Sequence, residues 1–219
     1  MKKLSWLFFL LCWSWAGMVY GQLTTGGNFV VGTSLGLSSA RSTIIQDAGS
    51  GENEGDGPIS SQFCISPKVG YFIMDNLAIG IGLDYTRSLI KEQNEDRNLD
   101  SDILFGPYAR YYLPLADDVS VFLEGSFGFG NSTSNLIIGG ENQDISTNIF
   151  AVGVGPGLTV FSDQGFSISA IFKYNFARSN FDINVGGTQQ STITKTNQFD
   201  FSVGIAYYFT TIRPAIYTP

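Results

Sequence analysis

Eight stretches of this chain alternate apolar residues with small or polar ones, and the last, 197–209, shows the pattern most clearly. Phe199, Phe201, Val203, Ile205, Tyr207 and Phe209 share one face, while Gln198, Asp200, Ser202, Gly204, Ala206 and Tyr208 share the other. A period of two is that of a β-strand. An apolar face of this length suits the roughly 9 to 11 residues with which a tilted strand crosses bilayer hydrocarbon. The same design is read upstream at 27–40, 59–73, 77–85, 102–113, 119–130, 148–161 and 166–178.

The connections alternate in length. Short turns are expected at 74–76, 115–118 and 162–165, and long polar loops near 41–58, 90–101, 131–147 and 179–196. An even number of strands with short turns on one side and long loops on the other predicts an all-β, eight-stranded, antiparallel up-and-down transmembrane barrel. Both chain ends then lie with the short turns, on the periplasmic side. Volume decides which face looks out: the interior of eight strands holds only a modest packed filling, too little for some forty large apolar side chains. The apolar faces must therefore meet lipid.

Composition agrees, since charged residues are 14% against roughly 25% in soluble domains, while aromatics reach 14% and glycines number 26. Two aromatic belts are expected at the membrane interfaces. Tyr71, Tyr111, Phe161, Phe166, Tyr207 and Phe209 would form the one near the short turns; Tyr85, Phe105, Phe129, Phe150, Tyr174 and Phe199 the one near the loops.

Residues 1–21 read as a cleavable signal peptide: Lys2 and Lys3, an apolar run from Leu4 to Trp15, then small residues before a cut after Gly21. The barrel would occupy 22–209 and a short periplasmic tail 210–219. Loss of Lys2 and Lys3 takes 12 basic residues to 10 against 19 acidic ones, and the formal charge from −7 to −9. Such a chain repels nucleic acid. Cleavage also removes Cys12 and leaves Cys64 as the one cysteine.

A weak repeat, SPKVGYF at 66–72, GPYARYY at 106–112 and GPGLTVF at 155–161, sets a proline in strands two, four and six. Proline lacks the N–H of a strand ladder, so a bulge or bend is expected at each.

The runs ISPKVGYFIMDNLAIGIGLDY and FGPYARYYLPLADDVSVFLEGSFGFG and the ending FSVGIAYYF resemble the small outer membrane protein β-barrel domain family, related in architecture to OmpA- and OmpX-type barrels. The resemblance spans 27–209. It implies an eight-stranded barrel embedded in the outer membrane, with diverse roles and no catalytic residues to transfer. Barrels of this kind usually end on the aromatic of the last strand, here Phe209, which the insertion machinery reads; this chain continues as TTIRPAIYTP.

Six charged residues fall on inward positions: Lys68, Asp84, Arg110, Glu124, Lys173 and Asp200. Matching heights predict three ion pairs filling the interior, Lys68 with Asp84, Arg110 with Glu124 and Lys173 with Asp200, since an unpaired charge in a narrow lumen is costly. The competing reading is a gate or proton path. No histidine is present, which excludes His-based triads and His-ligated metal sites. Asp47, Glu52, Glu54 and Asp56 gather in the first long loop, but their spacing is not that of the twelve-residue calcium loop, and no cofactor or metal is expected. The expected role is structural or interactive, a non-enzymatic monomer. Its partners would be outer-membrane lipid, the barrel insertion machinery and an unknown surface partner met through the long loops. The alternative is a narrow passive channel for small solutes.

Overall fold

The computed structural model describes residues 23–47, 52–89, 99–138, 141–185 and 188–210, so the expected signal peptide, the expected tail after Thr210 and the tip of the first loop lie outside the described residues. Eight strands follow one another: β1 (Phe29–Asp47), β2 (Glu52–Met74), β3 (Leu77–Leu89), β4 (Leu99–Pro114), β5 (Val119–Ile138), β6 (Glu141–Phe161), β7 (Phe166–Val185) and β8 (Thr188–Phe209). Each pairs antiparallel with its neighbour, and β8 returns to β1, closing the barrel.

Stepping between paired residues from Val30 through Gly70, Gly80, Tyr108, Ser126, Gly153, Asn175 and Gln198 returns to β1 at Ala40, ten residues above the start. With a rise of about 3.3 Å per residue and strands about 4.8 Å apart, this stagger tilts the strands by about 40°.

Alternation places the side chains as expected. Leu37, Ile168, Ile205 and Phe129 are more than half exposed, on the outward face where an outer-membrane barrel carries its apolar band. Met74–Leu77 and Phe161–Phe166 are joined by tight turns in which Asn76 (φ 65°) and Gly165 (φ 83°) adopt the left-handed conformation that asparagine and glycine tolerate best.

Two expectations need correction. The strands run far into the segments expected as loops: Asp47 pairs with Glu52, Ile138 with Glu141 and Val185 with Thr188. Backbone pairing needs no lipid, and polar β-formers such as those of 191–196, STITKT, extend the ladder beyond the membrane. The prolines make no bulge. Pairing lapses at Ser66 and Pro67 towards β3, at Gly106 and Pro107 towards β5, and at Gly155 and Pro156 towards β7, then resumes in unchanged register. Each proline keeps its partner on the other side, Thr33, Ile81 and Leu123, so its missing N–H interrupts one ladder only. Register shifts occur elsewhere, between Arg41 and Thr43 and between Phe72 and Met74.

Candidate functional site: the barrel lumen

The interior has three levels. At the short-turn end it is closed by rings. Phe72, Tyr112, Phe122 and Tyr208 are buried on the inward faces of β2, β4, β5 and β8, with Val30 and Ala78 beside them. Ring centroids lie 5.7 Å apart for Phe72 and Tyr112, 5.8 Å for Tyr112 and Phe122, and 6.1 Å for Phe72 and Tyr208. The hydroxyls of Tyr112 and Tyr208 are hydrogen-bonded at 3.1 Å, so the polar tips of two buried phenols satisfy each other.

Phe161 belongs to this floor and not to the lipid-facing belt. Its ring sits 5.4 Å from Tyr208 and 6.2 Å from Tyr112. Parity explains it, because Phe161 follows Gly157 and Thr159 on the inward face of β6. The other belt residues near the short turns, Tyr71, Tyr111, Phe166, Tyr207 and Phe209, lie on outward positions. So do Tyr85, Phe105, Phe129, Phe150, Tyr174 and Phe199 towards the loops.

Residues preceding β1 lie across this end. Leu23 packs against the ring cluster; Thr24 donates its hydroxyl to Asn76 Oδ1 at 2.6 Å; and the Gly26 N–H donates to Asp75 Oδ1 at 2.8 Å. The backbone N–H of Asn76 donates to Thr24 O at 2.8 Å and that of Gly27 to Phe72 O at 2.7 Å. The start of the described chain is thus hooked onto the β2–β3 turn.

Above the rings lies a charged level centred on Glu124, which is fully buried. Lys68 Nζ donates to its Oε1 at 2.5 Å, and Arg110 donates to Oε2 from Nη2 at 2.5 Å and Nε at 2.9 Å. Lys173 Nζ stands 3.8 Å from Oε1 and donates to Ser126 Oγ at 3.2 Å. The guanidinium of Arg110 lies 4.1 Å from the Phe122 ring centroid, and Lys68 Nζ 5.4 Å from that of Tyr108. The glycines beneath make room, since a Cβ on Gly70 would strike the Tyr108 hydroxyl and one on Gly157 the Phe122 ring.

Of the three expected pairs, only Arg110 with Glu124 is an ion pair in the structure. Lys68 reaches Glu124 across the lumen from β2 to β5, and Lys173 leans towards the same carboxylate. Although Lys173 and Asp200 are register partners, Asp200 instead accepts hydrogen bonds from Asn175 and, at 2.7 Å, from Gln198. Counting along strands gives heights but not reach: in a barrel this narrow a long side chain spans the bore, and Glu124 outcompetes the shorter aspartates above it.

Above this level the bore widens into a cavity of about 450 Å³. Its base is Lys68, Glu124 and Lys173. Its walls carry Asp84, Asp102 and Asp200 among many serines and threonines, with Cys64, a buried free thiol, on the β2 side.

A model of the outer membrane protein beta-barrel domain matches residues 21–209. The chain belongs to that family. This member lies in the outer membrane, and solved structures agree on its fold. OprG from Pseudomonas aeruginosa is similar at 10% identity over 87% of this chain and 99% of its own, with a TM-score of 0.57. Ail of Yersinia pestis is similar at 17% identity over 84% and 100%, with a TM-score of 0.41. At 10% identity the likeness to OprG speaks for the shared architecture alone. No curated protein matches by sequence.

Proposed function

We propose that this barrel is a non-enzymatic, monomeric surface protein whose lumen passes no solute and whose outer end meets its partners. The observation that carries this reading is the ring floor at the short-turn end, with the Glu124 cluster directly above it. Water or a small solute entering from the outer side would meet Lys68, Glu124 and Lys173 and then a set of rings in mutual contact. Opening that route requires separating charges held at 2.5 Å inside a poorly hydrated bore. The cavity above is a cup, not a channel. A plugged barrel is free to use its rim, where the strands stand clear of the lipid on the outer side, for contacts with other molecules. The signal segment 1–21 would carry the chain out of the cytoplasm, and Phe209, whose β8 closes the barrel, would be read during insertion.

The narrow-channel reading is tested by reconstituting the folded chain in a planar bilayer. The expected result is no steady conductance; an open level near a nanosiemens would overturn the plug.

A further inference from the structure

Outside the lumen, the basic residues whose side chains the structure describes are Arg41, Arg87, Arg178 and Lys195, all exposed and all on outward positions. All four lie on the loop side of the outward residues Leu37, Tyr85, Phe176 and Phe199 of their strands, and Ile45 and Ile193, paired on the outward face of β1 and β8, stand further out. On the opposite side the described charges are Asp75, Asp117, Asp118 and Asp163 in the turns. A chain that is acidic as a whole thus concentrates its outward cations at one height.

Three of the four are contiguous. Arg178 on β7 is the direct register partner of Lys195 on β8. Lys195 in turn pairs with Thr43 on β1, two residues from Arg41. Direct partners have Cβ atoms about 5 Å apart and diagonal ones about 7 Å, so three cations share one patch. Like charges placed opposite one another repel, and among the described residues no carboxylate lies within ion-pair distance of any of them. Asn197 sits opposite Arg41, and its Oδ1 accepts the Tyr174 hydroxyl at 2.6 Å, which leaves its amide N–H groups to donate. Below the patch on the same strands is an apolar face, with Phe172 and Phe199 stacked at 5.9 Å and Tyr174 and Phe199 at 5.2 Å.

We propose that Arg41, Arg178 and Lys195 form a site for the phosphate-bearing headgroup of a lipid in the outer leaflet, its acyl chains lying along the Phe172–Phe199 face. Repelling cations with no acidic partner among the described residues call for an anion. The patch stands just beyond the outward aromatics Tyr174 and Phe199, residue types that sit at headgroup level, and the apolar face beneath favours an amphiphile over a free ion. The proposal rests on the outer-membrane location and not on whether the lumen conducts, so a conductance result leaves it standing.

The test uses the folded full-length barrel in zwitterionic micelles. The temperature at which the folded form is lost is followed while phosphatidic acid, oleate or inorganic phosphate is added. Phosphatidic acid should raise that temperature in the wild type. Arg41→Asn, Arg178→Asn and Lys195→Asn together should weaken the apparent affinity on the order of 100-fold, from roughly fivefold per cation. Lys195→Asn alone, which keeps the readout available if the triple variant folds poorly, should weaken it roughly fivefold, and Lys195→Arg should restore it. Arg87→Asn, on β3 and away from the patch, should leave it unchanged. A wild type indifferent to phosphatidic acid, an equal response to oleate or inorganic phosphate, or variants that respond like the wild type would each overturn the site.

Discussion

The two halves of the lumen are built from the same eight strands yet differ in kind. Near the short turns, inward positions carry Phe72, Tyr112, Phe122, Phe161 and Tyr208, and nothing larger than small gaps remains between them. Towards the loops most inward positions are serine, threonine and other polar or small residues, with Leu104, Ile149 and Ile171 among them, and a cavity of about 450 Å³ is left. The difference teaches that few side chains suffice to pack one half of an eight-stranded bore. Five rings and the Glu124 cluster fill it, and the other half keeps an open cavity.

The sharpest way to break this contrast is at its boundary. Glu124→Ala leaves Lys68, Arg110 and Lys173 facing one another without their shared acid, and should cost about 3–5 kcal/mol, read from urea unfolding in micelles. Truncating the floor comes next. Phe72→Ala should cost about 3 kcal/mol or more through the cavity it leaves, and combined with Phe122→Ala it should raise ion conductance across a bilayer above that of the wild type. A finer probe is Tyr208→Phe, which removes one side of the Tyr112–Tyr208 hydrogen bond and should cost about 1 kcal/mol with no conductance. In the cup, Thr196→Ala should change stability by less than about 0.5 kcal/mol, because water replaces what the hydroxyl bonds. A large loss at Thr196, or a small one at Glu124, would erase the distinction between the two halves.

Much of this was legible in the chain. Alternation put Phe199, Phe201 and Ile205 towards lipid, and the volume of the bore ruled out the reverse. The floor was legible too, since Phe72, Tyr112, Phe122 and Tyr208 stand on the face otherwise made of small residues, and Phe161 shares the parity of Gly157. The reading that set Phe161 among the belts weighed its ring and its nearness to a turn over that parity. The partner of Lys68 was not legible, because contacts across the bore depend on the ten-residue stagger, which alternation along single strands does not reveal, and on how far each side chain reaches across it. Nor were the strand ends: there apolar and polar residues fall on both faces, as Ile44 with Thr194 and Ile45 with Ile193 show, so no period-two signal marks them.

Along the seam between first and last strands, every residue from Phe29 to Asp47 faces a counterpart on β8 without a lapse. Along that length, from Ser191 to Phe209 on β8, neither terminal strand offers a free margin on which a second molecule could graft itself. A would-be invader must peel that whole seam apart before gaining a single bond, so whatever company this protein keeps must be met over its finished surface.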